Sequence, residues 1–120
     1  MRIVILAAAI LLLPGFTQAD LEKAKSTKDF FKDSYWKCLA TEIVRVAPTN
    51  MPVQDFSVFV KGACGQEMGW FFKSLINYME MLHPEKAADY SLLASAANIA
   101  VKAAQDDAVK VLIDTRSHSR

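Results

Sequence analysis

The sequence predicts an all-α fold, a small three-helix up-down-up bundle with one inter-helix disulfide. Three observations carry this expectation. No stretch alternates polar and apolar residues as a half-buried strand does. Beyond the N-terminal segment the prolines stand at only two places, Pro48 with Pro52 and then Pro84, and they divide the chain into three long segments of helical periodicity. Two cysteines, Cys38 and Cys64, fall where antiparallel first and second helices would bring them together.

The 120-residue chain is 52% hydrophobic and 22% charged, with a formal net charge of +1. That length fits one domain, and the apolar fraction is too high for a disordered segment. Phosphate contacts need clustered Lys and Arg, so the charge balance argues against nucleic acid as a partner. Residues 1–19 read as a signal peptide. Met1-Arg2 gives a positive start, Ile3 to Leu13 is apolar, Pro14-Gly15 breaks the run, and Thr17-Gln18-Ala19 presents small residues where a signal peptidase reads. Cleavage is expected after Ala19. The apolar run is too short to span a bilayer, which takes roughly 20 residues. Residues 20–120 would then form a single helical domain, with 115–120 as a flexible tail. Loss of Arg2 leaves thirteen basic and thirteen acidic residues, so the remaining chain is formally neutral. The short Ala/Leu-rich leader favours the periplasm over other secreted destinations.

Helix one is expected to start near Ser26. Ser26-Thr27-Lys28-Asp29 matches a capping box, in which the hydroxyl accepts an orphan backbone N–H and the acid reaches back. Trp36, Leu39, Ala40, Ile43 and Val46 follow helical spacing, and Ala47-Pro48 ends the segment because the residue before proline is pushed out of the α region. Helix two should begin near Pro52, with Asp55 favourable in the first turn, and run to Leu82. His83-Pro84-Glu85 is a short break. Helix three then returns, carrying Asn98, Lys102, Asp106, Lys110 and Asp114 as a solvated ladder opposite an alanine-rich face.

An even, small number of cysteines in an exported chain points to a disulfide. Cys38 lies about 12 Å from the end of helix one and Cys64 about 18 Å from the start of helix two, an offset of roughly one turn at 1.5 Å per residue. A bridge between the two helices is therefore feasible. The glycine window Gly62, Gly65 and Gly69 leaves two readings of helix two open. Gly65 and Gly69 could form a small-residue ridge for a close-packed neighbour, or the helix could break near 62–65.

A helix one of residues 27–46 reaches only to about residue 72 of helix two. Beyond that, Leu75, Ile76, Met79 and Leu82 face Tyr90, Leu92 and Leu93 without a third wall. Either residues 20–26 extend helix one to cover them, or these seven residues form a surface for a partner. The expected partner is a protein, with a second copy of the chain among the candidates.

Catalytic signals are missing. His83 and His118 stand at a helix boundary and in the tail, no His/Cys/acid set has metal spacing, and no phosphate loop or nucleophile elbow occurs. Glu42 and Glu67 each lie near a cysteine but have no companion group for acid–base work. The expectation is a non-enzymatic protein-binding module without metal, cofactor or a membrane span after the leader. Small size, the leader, an all-helical pattern, one disulfide and Trp36-x-Cys38 resemble the periplasmic acid-stress chaperones. That resemblance implies an alternative, in which protonation of the carboxylates exposes apolar surface at low pH. An immunity-type inhibitor of an exported enzyme is a further alternative.

Overall fold

The computed structural model describes residues 17–119, so the charged start and apolar run of the expected leader lie outside the described residues. Within them the chain forms four α-helices: α1 (Gln18–Val46), α2 (Val53–Ala63), α3 (Gly65–Leu82) and α4 (Tyr90–His118). A short 3-10 turn, Pro84–Lys86, joins α3 to α4, and no strand occurs among the described residues. The all-α class holds, whereas the expected count of three helices becomes four because the middle rod is interrupted.

α1 begins eight residues before the expected start. Its cap is Thr17, whose Oγ1 accepts from the Asp20 backbone N at 3.1 Å while the Thr17 backbone N donates to Asp20 Oδ2 at 3.3 Å. The Ser26–Asp29 box is not used, and Ser26 lies inside a continuous helix. Tertiary contacts explain why. Ala24 is buried, and Lys28 holds its Nζ 5.1 Å above the Tyr78 ring of α3 and 2.8 Å from Asp29 Oδ1. Packing on both sides of Ser26 offsets the local preference to start a helix there. The C-terminal boundary falls at Ala47, as the following proline requires.

The middle rod breaks at a single residue. Cys64 takes φ −111° and ψ 22°, yet its N still donates to Val60 O at 2.9 Å and its O accepts from Met68 N at 2.9 Å. Glycines on either side, Gly62 and Gly65, weaken helical preference at this point. The expected Gly65/Gly69 ridge is not observed. A Cβ built at Gly62, Gly65 or Gly69 would meet nothing within 4 Å, so no helix approaches closely there.

Cross-helix pairs give the topology. Phe31 stacks near Trp70 (5.6 Å between ring centroids), Tyr35 near Phe71 (6.2 Å), and Cys38 bonds Cys64, so α1 runs antiparallel to α3. Leu93 clusters with Ile76, and Gln105 Nε2 donates to Met68 Sδ at 3.5 Å, so α4 runs antiparallel to α3. The main core gathers Tyr35, Leu39, Phe56, Val60, Cys64 and Leu112, all fully buried. Of the consecutive aromatics Trp70-Phe71-Phe72, only Phe71 is buried, because successive helical residues diverge by about 100°.

α4 is helical through His118, three residues beyond the expected onset of a flexible tail at Thr115. Arg116 accounts for the extension. Its Nε donates to Ala47 O at 3.3 Å, and its Nη2 donates to Val46 O at 3.3 Å and Thr49 O at 3.1 Å. Val46 O and Ala47 O belong to the end of α1 and Thr49 O to the turn after it, and Val46 O also accepts from Thr49 N at 2.8 Å and Thr49 Oγ1 at 2.7 Å. The guanidinium closes the far end of the bundle and places a cation where the α1 dipole favours one.

Candidate partner surface

The hairpin of α3 and α4 carries the seven residues expected to meet a partner, and the structure divides them. Ile76 and Leu93 are buried against each other and Ala97, with Phe72, Leu75, Met79 and Ala94 packed around them. Leu75 and Met79 are thus half-buried. Leu82, Tyr90 and Leu92 remain exposed at 41%, 59% and 48%. The surface expected from sequence therefore shrinks to its tip.

The extension of α1 supplies the third wall. Ala24 is buried, and a cavity of about 330 Å³ lies between Asp20, Lys23, Ala24 and Thr27 of α1 and Asn77 and Met81 of α3. The first two turns of α1 thus reach the last two turns of α3. The tip itself is held by short-range bonds. His83 N donates to Met79 O at 2.9 Å, Lys86 N to His83 O at 2.9 Å, and Asp89 Oδ1 accepts from Leu92 N at 3.1 Å to cap α4. The cap keeps Tyr90 and Leu92 on the first turn of a formed helix rather than on a loose loop.

The disulfide Cys38–Cys64 is present, with the two Cα atoms 5.8 Å apart, and no free cysteine remains among the described residues. In the chain-entropy description, closing a loop of this length stabilises the fold by about 3.5 kcal/mol.

Ionisable groups do not converge on a reaction centre. Glu42 is buried beside the bridge, one turn from Cys38, with Oε1 3.2 Å from Arg45 Nη1 and Oε2 lacking a hydrogen-bond partner. Its carboxylate thus pairs with Arg45. Asp29 is held below the usual carboxylate range, first by its hydrogen bond from Lys28. Burial pushes the Tyr35 phenol up. Gln105 lies near enough to counter this in part, but the hydroxyl makes no hydrogen bond of acceptable geometry. Among the described residues no group of three or more His, Cys, Asp and Glu could hold a metal. No described helix is long and apolar enough to cross a membrane.

Two features were not found from sequence. One is the Arg116 clasp. The other is a chain of rings on the outside of α1 and α3, where Phe30 contacts Phe31 at 5.4 Å and Phe31 contacts Trp70 at 5.6 Å. The adjacent Phe30-Phe31 pair was the available signal, since neighbouring helical positions cannot both face one core. No protein-family model, curated protein or solved structure matches this chain.

Proposed function

We propose that the chain is an exported, non-enzymatic binding module that engages another protein through the tip of the α3/α4 hairpin. The observation that carries this reading is the exposure of Leu82, Tyr90 and Leu92 at the α3/α4 end, where the Asp89 cap fixes Tyr90 and Leu92 on the first turn of α4. Clustered exposed apolar side chains bind partners by leaving water, and tyrosine and leucine supply the area for it. Tyr90 adds a hydroxyl that can pair at the rim while its ring is covered. The cross-linked Cys38–Cys64 pair agrees with passage through an oxidising compartment.

The test uses the processed chain with a photo-crosslinking residue at position 90 or, separately, at position 82, exposed to a periplasmic extract. Both positions should label the same protein, and labelling should disappear when Leu92→Asp is added. Unchanged labelling with Leu92→Asp, or different proteins from the two positions, would refute the tip as the docking surface. Amino-terminal sequencing of the same material should start at Asp20, so that the processed chain loses the Thr17 cap and the first two residues of α1; a start at Met1 would refute export by leader cleavage.

A further inference from the structure

All four helices meet around one buried amide. Gln105 of α4 is only 7% exposed, and its Nε2 donates to Met68 Sδ of α3 at 3.5 Å. Among the described residues this thioether is the only hydrogen-bond partner of the amide, and a thioether sulfur is a weak acceptor. Beside the amide lies the Tyr35 hydroxyl of α1, fully enclosed and also without a partner. Helix α2 completes the arrangement. Its Lys61 stands with Gln105, Met68 and Asn98 on the lining of a cavity of about 380 Å³.

A buried amide with so weak a partner costs free energy that an apolar side chain of similar shape would not. Packing gives no reason for a glutamine at this position, whereas a ligand that accepts from the amide does. The rest of the lining is rich in donors. Lys61 is exposed at the rim and takes part in none of the ion pairs of the described residues, and Asn98 adds a second amide. Among the described lining residues the one carboxylate is Asp106, and Lys102 Nζ already donates to both of its oxygens at 3.1 and 3.0 Å. Apolar surface comes from Val101, which is buried, and from the half-buried Met68.

We propose that this cavity binds a small organic carboxylate with a short apolar body. One oxygen accepts from the Gln105 amide and the other from Lys61 and Asn98 at the rim, while the carbon chain lies against Val101 and Met68. Charge selects the sign of the ligand, because a bound amine would face Lys61 and find Asp106 already paired. Small-ligand sites begin at about 300 Å³. The volume therefore suits a short-chain acid or the last residue of a peptide. The cavity shares no residue with the hairpin tip, so binding here leaves Leu82, Tyr90 and Leu92 free.

The experiment is a nuclear magnetic resonance titration of the processed, oxidised chain at pH 7, following the Gln105 side-chain amide and the Val101 methyls. The probes are hexanoate, its neutral counterpart hexanamide, and N-acetylglycylleucine as a peptide carboxyl terminus. Hexanoate should shift both signals saturably, with a dissociation constant on the order of 1 mM, and no saturable shift by about 20 mM overturns the proposal. Hexanamide should bind at least about threefold more weakly, and Lys61→Gln should remove that difference. Gln105→Leu should weaken hexanoate about tenfold while leaving Tm at or above that of the parent. Tyr90→Ser at the tip should change nothing. Equal affinity of the parent for hexanoate and hexanamide, or hexanoate binding indifferent to both Lys61→Gln and Gln105→Leu, also overturns the proposal. Tighter binding of the peptide acid than of hexanoate supports the site with a peptide terminus as its source, and weaker binding supports it with a free acid.

Discussion

Replacing Arg116 by methionine keeps much of the aliphatic stem and removes the guanidinium that holds Val46 O, Ala47 O and Thr49 O at 3.3, 3.3 and 3.1 Å. Two of these bonds are partly buried, and the third lies at the surface where water replaces it readily. Counting the Ala47 bond at about 1 kcal/mol, the Val46 bond at about 0.5 kcal/mol because Thr49 N and Oγ1 still serve that oxygen, and the charge at the end of α1 at about 0.5 kcal/mol, gives a loss of about 2 kcal/mol. For a domain of this size that corresponds to about 8–16 °C in Tm. Thermal and urea unfolding followed by far-ultraviolet circular dichroism measures the loss directly. Arg116→Lys should recover only part of it, because a single ammonium keeps the charge but cannot fork across separate carbonyls. A methionine variant within about 0.5 kcal/mol of the parent would refute the reasoning, since that is the scatter expected of any surface change.

Two further substitutions probe the interior and the middle rod. Gly69→Ala should stabilise the protein by about 0.5–1 kcal/mol, because the position is inside α3 and an added Cβ meets nothing within 4 Å; destabilisation in urea would show that a neighbour does approach. Tyr35→Phe should be neutral or stabilising at pH 7, because the buried hydroxyl lacks a partner, and a loss of more than about 2 kcal/mol would show that it is satisfied. Burial raises the folded phenol above its ordinary value of 10.0, so the fold favours the protonated form. The corresponding stability is complete below pH 10 and is lost as pH rises through the folded value. In an ultraviolet titration, the late-titrating phenol assigned to Tyr35 in the parent should be missing from Tyr35→Phe.

Local signals predicted what local chemistry decides. Pro48, Pro52 and Pro84 mark helix limits through their own backbone restrictions, and the structure ends α1 and α3 beside them. The Cys38–Cys64 pairing was legible because helical rise converts sequence distance into height. The start of α1 was not, because the chain holds two capping boxes and the choice between them depends on Ala24 and Lys28 packing against α3. The break at Cys64 was legible only as one of two alternatives, since the same three glycines suit both a kink and a close helix crossing. At the candidate surface, periodicity identified apolar residues but not which of them meet each other. Ile76 and Leu93 disappear because the hairpin brings them together, whereas Leu92, their equal in hydrophobicity, lies on the wrong side of the same helix turn. In sequence Arg116 stands in a polar tail, and its acceptors lie some seventy residues away in the chain.

The covalent tie sits at the one point where the middle rod departs from regular helical geometry, and this gives it a mechanical role. Bending at Cys64 cannot part the rod from α1, because the joint is pinned to Cys38. Leu82 lies eighteen residues further on, about 27 Å at helical rise, so a swing of about 5° at the joint moves the end of the hairpin by about 2 Å. Fastening the fulcrum therefore adds to the grip of α1 along α3, where Lys28 covers Tyr78, in setting the aim of the distant side chains, and reducing the sulfurs would release one of those two holds without altering a single residue at the end of the lever.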